Sequence, residues 1–470
     1  MPARLPIQSK TPFHIDPRPL DEMASPHAGL LAASRAARSL HLPGLVSANL
    51  QLKSRKRGFT EGQFVESILL LQIGGGDCPE DVSIFHDDLC LERGLGYALP
   101  KATAVREFLG RFHDESIASS RPARETQKSF ILPSSSGVAG LQNVQAGLVR
   151  QVAKRYDLAG ERLKIATLDM DATIIESHKE SALPHYEGGR GYQPMVAVWA
   201  EADLVVADEF RDGNVPGGKD PLSSVRRAFE ALPSRVTVRR FRGDSADYHL
   251  SLLRYLVEEN IGFTISADMT RELRAVCVDL KKSAWRLLET RERESVHLAE
   301  VEFTPGDWPK DARPLRYVAV RFTPKQDDFF EEPKYLAVVS NRDELSMAEL
   351  VGWHWGKAGT IEHVHRVMKD ELGASVMPSG RFGANAAWFR INALAFNLLA
   401  VLRRRALPPH LEDARPKRLR FEVFTLPGRL ALHQRQVVVQ VSAAGARGQA
   451  LDDARGRLAQ LWETRWGDAP

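Results

Sequence analysis

Apolar residues recur at helical spacing through the first part of the chain, from residue 31 to residue 115. Within it, residues 60–73 place Phe64 and Ile68 on one face, and Thr60 is a suitable N-cap for that helix. This periodicity predicts a helical region.

Two segments flank these helices and lack periodicity. Residues 1–30 contain several prolines, which predicts an extended arm. Residues 114–140 are rich in Ser, Arg and Gly, which is typical of a linker. We therefore expect an N-terminal arm, 1–30, followed by a helical region with its linker, 31–140.

The pattern changes at residue 163, where short apolar runs alternate with helical segments. The predicted strands are 163–175, 195–200, 204–210, 235–241 and 262–266, and the predicted helices are 221–232 and 248–259. The order β-β-β-α-β-α-β predicts an α/β fold with a mixed sheet and crossover helices. This first part of a core spans residues 141–270.

A β-rich segment, residues 271–345, interrupts that core, with strands predicted at 296–303, 315–322 and 335–339. Helices resume at 347–372 and 384–405, which places the second part of the core at 346–410. The tail, 411–470, is predicted to hold strands over 418–441 and a last helix over 449–466.

Composition narrows the class of protein. Lys and Arg total 64 against 60 Asp and Glu, so net charge alone does not indicate a nucleic-acid partner. Three cysteines without a CxxC pair argue against a disulfide framework. The first ten residues have no apolar signal core, and no uncharged run approaches the roughly 20 residues of a membrane span. We expect a reduced, cytoplasmic protein with no membrane partner.

Carboxylates stand at three places where this layout brings them together. Asp169 and Asp171 lie two apart on the first core strand and so share a face. Asp244 directly follows the fourth strand, and Glu362 lies inside the helix 347–372. Asp268, after the fifth strand, is a weaker alternative to Asp244. With 60 acidic residues in the chain, chance placement near strand ends is the competing explanation.

Phosphodiester cleavage by metal ions requires a set of carboxylates of this kind. Two divalent ions about 4 Å apart activate the attacking water and stabilise the leaving oxygen. Mg²⁺ and Mn²⁺ take carboxylate oxygens as ligands. Asp171, Asp244 and Glu362 are therefore the candidate ligands of two ions, with Asp169 as a supporting residue.

At these residues the sequence resembles the DDE transposases of bacterial insertion sequences. The segments that carry the resemblance are TLDMDAT (167–173), GRGYQP (189–194), DEFRDGN (208–214), RGDS (242–245) and GTIEH (359–363), followed by Lys369. The resemblance runs from about residue 30 to the C-terminus and is strongest from 163 to 372. It implies a ribonuclease-H-like core with Asp171, Asp244 and Glu362 as the catalytic carboxylates.

The sequence departs from the family at two positions of the glutamate helix. The family usually carries a tyrosine seven residues before the glutamate and an arginine, associated with DNA ends, four before it. Here those positions hold Trp355 and Ala358, although Lys357 is adjacent.

Basic residues in three parts of the chain are candidate contacts to DNA phosphates. They are Lys53, Arg55, Lys56, Arg57, Lys357, Arg366, Lys369, Arg403 and Arg404. Solvated loops and surface ion pairs are the alternative explanation for these residues.

The resemblance implies metal-dependent cleavage at the ends of a mobile element and strand transfer into target DNA. Its partners would be double-stranded DNA and, in a synaptic complex, a second copy of the chain. Two alternatives stay open: a ribonuclease-H-like nuclease without strand transfer, and a DNA-end-binding protein that has lost catalysis.

Overall fold

The computed structural model describes residues 23–53, 57–123, 126, 128–158, 160–161, 163–324, 332–433, 436–441, 452–454 and 456–457. Most of the predicted arm therefore lies outside the described residues. So do Arg55, Lys56 and most of the predicted last helix, 449–466.

Helices dominate the described part of the N-terminal region, as the apolar periodicity predicts. The elements are β1 (Ala24–Ser25), α1 (Leu30–Ser39), α2 (Leu42–Asn49), α3 (Glu61–Gly74), α4 (Leu89–Leu95), α5 (Ala102–Gly110), α6 (Glu115–Ala118) and α7 (Ser136–Leu158). Thr60 caps α3 as predicted, since its hydroxyl accepts from the backbone N–H of Gln63 at 3.2 Å. The Gln63 side chain accepts from the Thr60 backbone N–H in return, at 2.8 Å.

The centre of the molecule is a mixed sheet of the predicted order. Its elements are β2 (Ile165–Ala172), β6 (Met195–Trp199), β7 (Leu204–Glu209), α8 (Pro221–Ala231), β8 (Val238–Gly243), α9 (Leu250–Glu258) and β9 (Gly262–Ser266). A small sheet precedes β6, with β3 (Ile175–Glu176), β4 (Leu183–Pro184) and β5 (Arg190–Tyr192).

The strands of the central sheet lie in the order β7-β6-β2-β8-β9. Strands β2, β6 and β7 pair antiparallel, whereas β8 and β9 run parallel to β2. This is the arrangement of a ribonuclease-H-like core, so the predicted α/β fold class is confirmed.

The β-rich segment extends the same sheet. It contains α10 (Arg271–Asp279), β10 (Arg286–Thr290), β11 (Glu294–Val301), β12 (Arg316–Pro324) and β13 (Lys334–Ser340). Strand β13 pairs antiparallel with β9, which gives one nine-stranded sheet, β10-β11-β12-β13-β9-β8-β2-β6-β7. The sequence pattern indicated neither α10 nor β10. Four of the five residues of β10 are exposed, so this edge strand has no apolar alternation to reveal it.

Helices follow the last strand of the sheet. They are α11 (Met347–Lys357), a π-helical turn (Ala358–Glu362), α12 (His363–Glu371), α13 (Phe382–Val401) and a second π-helical turn (Leu402–Ala406). Short 3₁₀ turns occur at Pro79–Phe85, Ser245–Asp247, Lys282–Ala284 and Pro409–Leu411.

Helix α13 lies at the centre of the fold, and its residues from Gly383 to Val401 are buried. Its polar side chains have partners there. Arg390 pairs with Asp208 of β7 at 2.8 Å, and Asn397 accepts from the backbone N–H of Val205 at 2.7 Å. Among the described residues, the segment that includes α13 is the one helix long and apolar enough to cross a membrane. Its apolar stretch is wholly buried inside the protein, which identifies it as a core helix.

The tail only partly follows the prediction of strands over 418–441. It begins with α14 (Pro416–Leu419) and a π-helical turn (Arg420–Phe424), and only then forms β14 (Gly428–His433) and β15 (Gln436–Val441). The first part of that prediction is wrong for a tertiary reason. The Arg420 guanidinium donates to the carbonyl oxygen of Ile73 at 2.8 Å, so a contact with α3 stabilises the turn.

Candidate active site

Two aspartates meet where two neighbouring parallel strands end. Asp171 is the next-to-last residue of β2, and Asp244 directly follows β8. The register pairs Asp169 of β2 with Arg242 of β8. The two strands therefore reach Asp171 and Asp244 at the same edge of the sheet, as the sequence pattern predicts.

An ammonium group lies between the two carboxylates. The Nζ atom of Lys357 is 3.9 Å from Oδ2 of Asp171 and 3.6 Å from Oδ2 of Asp244. The Lys357 side chain is only 11% exposed, whereas the side chain of Asp244 is 44% exposed. The pair thus forms a partly enclosed anionic site with one cation of the protein in it.

The environment of Asp171 opposes its ionisation. Burial raises the pKa of Asp171 to about 6, and the like charge of Asp244 adds to the shift. The ammonium of Lys357 acts in the opposite direction. A carboxylate held in this way gains from any further cation placed beside it.

Asp169 has a different role, because it is fully buried behind the site. Arg242 donates to both of its carboxylate oxygens, at 2.6 and 2.7 Å, and the Thr360 hydroxyl donates to it as well. Burial raises the pKa of Asp169 while the hydrogen bonds from Arg242 oppose the shift. Arg242 also donates to the carbonyl oxygen of Trp353 at 2.8 Å. Asp169 is thus a positioning residue that ties β2, β8 and the glutamate helix together.

Glu362 faces the same cavity as Asp171. This cavity, of about 440 Å³, is also lined by Lys357, Trp355, Phe322 and Arg291. Arg291 follows β10, so a turn of the β-rich segment reaches the site. The structure does not bring all three carboxylates into ligand distance, because the ligand oxygens of Asp171, Asp244 and Glu362 are not all within 4.8 Å of one another. Glu362 is exposed, which leaves its side chain room to rotate.

The π-helical turn determines which side chains lie on the same face of the helix as Glu362. In an α-helix, residues four apart share a face and residues five apart do not. In a π-helical turn the hydrogen bonds join residues five apart, so these lie above one another. Because the turn spans Ala358–Glu362, Lys357 occupies the place that the residue four before Glu362 has in a regular helix. The turn thus brings a cationic side chain, that of Lys357, to the face of the helix that carries Glu362.

A fourth carboxyl group, that of Asp247, lies under the site. It belongs to the 3₁₀ turn after Asp244, is 2% exposed, and its Oδ1 has no hydrogen-bond partner among the described residues. Burial raises the pKa of Asp247 well above its ordinary value, and the charge of Asp244 adds to the shift. Burial and the nearby charge of Asp244 thus both favour the uncharged form of Asp247.

Three of the basic residues predicted to contact DNA, two near the site and one in the N-terminal region, have partners within the protein. The Lys369 ammonium donates to the carbonyl oxygen of Ile174 at 2.8 Å, which ties α12 to the segment after β2. Arg366 is exposed and lies 3.3 Å from Nδ1 of His363. Lys53 donates to the carbonyl oxygen of Arg57 at 2.8 Å.

The cluster at the end of α13 is engaged in ion pairs. Arg403 is 8% exposed and pairs with Asp203 at 2.6 Å. Arg404 pairs with Glu161 at 2.7 Å and lies over the ring of Tyr156. Both have acidic partners within the protein, although Glu161 also pairs with Arg405, and the prediction that they contact DNA stays a prediction.

Three features of the site were not identified from the sequence. Arg242 carried a signal, since Asp169 falls in an apolar run and therefore needs a partner, and the parallel register sets Arg242 opposite it. Asp247 and Tyr186 carried none. Tyr186, between β4 and β5, is 77% exposed. Partial desolvation and the charges of Glu187, Asp171 and Asp244 raise the pKa of Tyr186.

Comparison with known proteins gives one family and one structural likeness. The family described as "Transposase DDE domain group 1" matches residues 21–463. No curated protein sequence shows significant similarity to the chain. Among solved structures, a cryo-EM structure of the piggyBac transposase synaptic complex with hairpin DNA is similar at 11% identity and a TM-score of 0.46. The match covers 85% of this chain and 79% of that one.

Proposed function

We propose, since the chain belongs to the DDE-domain transposase family, that it cuts DNA at the ends of a bacterial insertion sequence and joins those ends to a target. The observation that carries the proposal is the meeting of Asp171 and Asp244 at the ends of β2 and β8, beside the cavity lined by Glu362. Members of this family generally use divalent metal ions.

The residues present fit such ions. Asp171 and Asp244 offer oxygens on either side of the Lys357 ammonium, which among the described residues is the cation within 4 Å of both. We assign Asp171, Asp244 and, after rotation of its side chain, Glu362 as ligands of two Mg²⁺ or Mn²⁺ ions. Bound there, the ions would supply an activated water and stabilise the leaving oxygen.

Residues around the carboxylates would orient the metal ligands and line the space for the DNA. The pair of Asp169 and Arg242 fixes the direction of β2 relative to the glutamate helix. A DNA strand would pass the cavity beside Glu362, which is lined by Trp355 and by Arg291, whose guanidinium lies over the Trp355 ring. Exposed Tyr186 offers a ring on which a base can stack.

Double-stranded DNA is the proposed partner, as terminal repeats and as target. Among the predicted basic contacts, Arg57 and Arg366 are exposed and so best placed to neutralise phosphates. Cutting two ends together requires two active sites, and we propose a homodimer in the synaptic complex. The place of action would be the bacterial cytoplasm, at the nucleoid.

The test is cleavage of DNA that carries the terminal repeats flanking the gene, with Mg²⁺ or Mn²⁺. We expect Asp171→Asn, Asp244→Asn and Glu362→Gln each to lower the rate on the order of a hundredfold or more, because each removes a metal ligand. Asp268→Asn is the matched control. It removes an exposed carboxylate at the end of β9 and should cleave like the wild type.

A variant of the three that cleaves at the wild-type rate contradicts the assignment of that residue. Supplying pre-cleaved ends with a target plasmid separates a transposase from a nuclease. A protein that hydrolyses the ends and never joins them is a ribonuclease-H-like nuclease.

A further inference from the structure

Lys357 occupies the space between two carboxylates that the proposed function gives to metal ions. Its Nζ is 3.9 Å from Asp171 and 3.6 Å from Asp244. Two carboxylates at such close range repel each other unless a cation lies between them. In the protein without metal, the ammonium of Lys357 is that cation.

The backbone that carries this lysine is well anchored. Leu350 and Val351 of α11 are buried against the outer strands of the sheet. The Thr360 hydroxyl lies within hydrogen-bond distance of two acceptors, the carbonyl oxygen of Lys357 at 2.9 Å and the carboxylate of Asp169, which share its one proton. The helix end is therefore fixed to the same network that orients β2, while the four-carbon side chain beyond it can rotate.

Space for such a rotation exists beside the site. Lys357, Asp171 and Glu362 line one cavity of about 440 Å³. The ammonium can leave the carboxylates for this cavity without unfolding the turn. A divalent ion placed between Asp171 and Asp244 carries twice its charge and repels it at close range.

We propose that Lys357 is a built-in counter-ion of the metal site, displaced from Asp171 and Asp244 when divalent ions bind. It keeps the two carboxylates together before loading and weakens metal binding by competing for the same oxygens. The inference rests on the proposed metal site but concerns how that site is loaded.

Direct binding of Mn²⁺ to the full-length protein without DNA tests this, by calorimetry after removal of metals with a chelator. We expect Lys357→Met and Lys357→Gln to bind Mn²⁺ on the order of tenfold more tightly than the wild type, since a competing charge is gone. Lys357→Arg keeps the charge and should bind weakly, like the wild type. Lys281→Met removes an exposed lysine outside the site and should leave the affinity unchanged.

A second readout is the thermal midpoint. Without metal, Lys357→Met should unfold at a lower temperature than the wild type, because Asp171 and Asp244 then repel without compensation. Mn²⁺ should raise its midpoint more than that of the wild type. Circular dichroism of each variant establishes that it is folded, and the glutamine variant provides a second neutral side chain.

The outcomes separate this inference from the proposed function. If the wild type binds Mn²⁺, Asp171→Asn does not, and the neutral Lys357 variants bind no more tightly, Lys357 is not a competing counter-ion. If Mn²⁺ binding is the same in the wild type and in Asp171→Asn, the metal site itself is wrongly placed. If no protein of the set binds Mn²⁺, both proposals are overturned.

Discussion

Asp171 carries a carboxylate that the fold makes harder to ionise. Its pKa rises from an ordinary value of 3.8 to about 6, through burial and then the charge of Asp244. Below about pH 3 the group is protonated in the folded and the unfolded chain alike. As the pH rises to 6 the unfolded chain loses its proton first, so the metal-free folded protein loses stability over this window.

The substitution Asp171→Asn removes the ionisable group and with it this loss of stability at higher pH. We expect the variant without metal to exceed the wild type in free energy of unfolding by about 1–3 kcal/mol at pH 7.5, and to match it near pH 3. Urea denaturation in the presence of a chelator at both pH values measures the difference. A wild type that is the more stable protein at pH 7.5 would contradict the raised pKa.

At the scale of elements, the π-helical turn allows α11 and α12 each to keep its own apolar face buried. Helix α11 buries Leu350 and Val351, and α12 buries Val364 and Val367. Successive residues of an α-helix are related by a rotation of about 100° about the helix axis. Without the additional residue of the turn, one of the two buried faces would rotate away from its partners.

Deleting Gly359 from the turn tests this. We expect the deletion to lower the free energy of unfolding by about 3 kcal/mol or more, because buried apolar side chains of α11 or α12 lose their contacts. Gly359→Ala is the matched control, since a Cβ there meets no atom within 4 Å. Thermal or urea unfolding compares the two, and equal midpoints would show that the turn is not needed for packing.

Across the whole molecule, the N-terminal helices and the sheet share one interior. One hydrophobic cluster extends from Leu30 of α1 through the central strands to Phe424. Helix α13 joins the two parts, and it approaches the N-terminal region so closely that a Cβ on Gly383 would lie 2.2 Å from the carbonyl oxygen of Phe112. The region predicted as 31–140 is thus packed directly against the core helix.

The substitution Gly383→Ala should force α13 and the N-terminal region apart. We expect it to lower the free energy of unfolding by about 2 kcal/mol or more, because the methyl group meets backbone atoms that cannot rotate away. Gly352→Ala in α11 is the control, with no atom within 4 Å of the added Cβ. The control should gain about 0.5–1 kcal/mol through the helix preference for alanine. Similar midpoints for the two variants would contradict the close approach.

The local pattern of apolar and polar positions was sufficient to predict much of the fold and part of the candidate site. The strand Gly262–Ser266 has the predicted bounds, and the other core strands differ from prediction at their ends. Asp171 and Asp244 could be placed together because strand order and parallel pairing follow from the alternation of strands and helices. Glu362 could be assigned to its helix, and the family resemblance indicated its role.

Other features depend on atoms far apart in the sequence, and only the tertiary structure decided them. The turn at Ala358–Glu362 arises because α11 and α12 are each held by their own buried faces, which no local periodicity records. That turn brings Lys357 to the two aspartates. The residue types and their order along the chain thus determined the strands, the helices and the candidate carboxylates. Packing between distant segments determined which cation lies beside those carboxylates, because side-chain direction in a helix depends on its register.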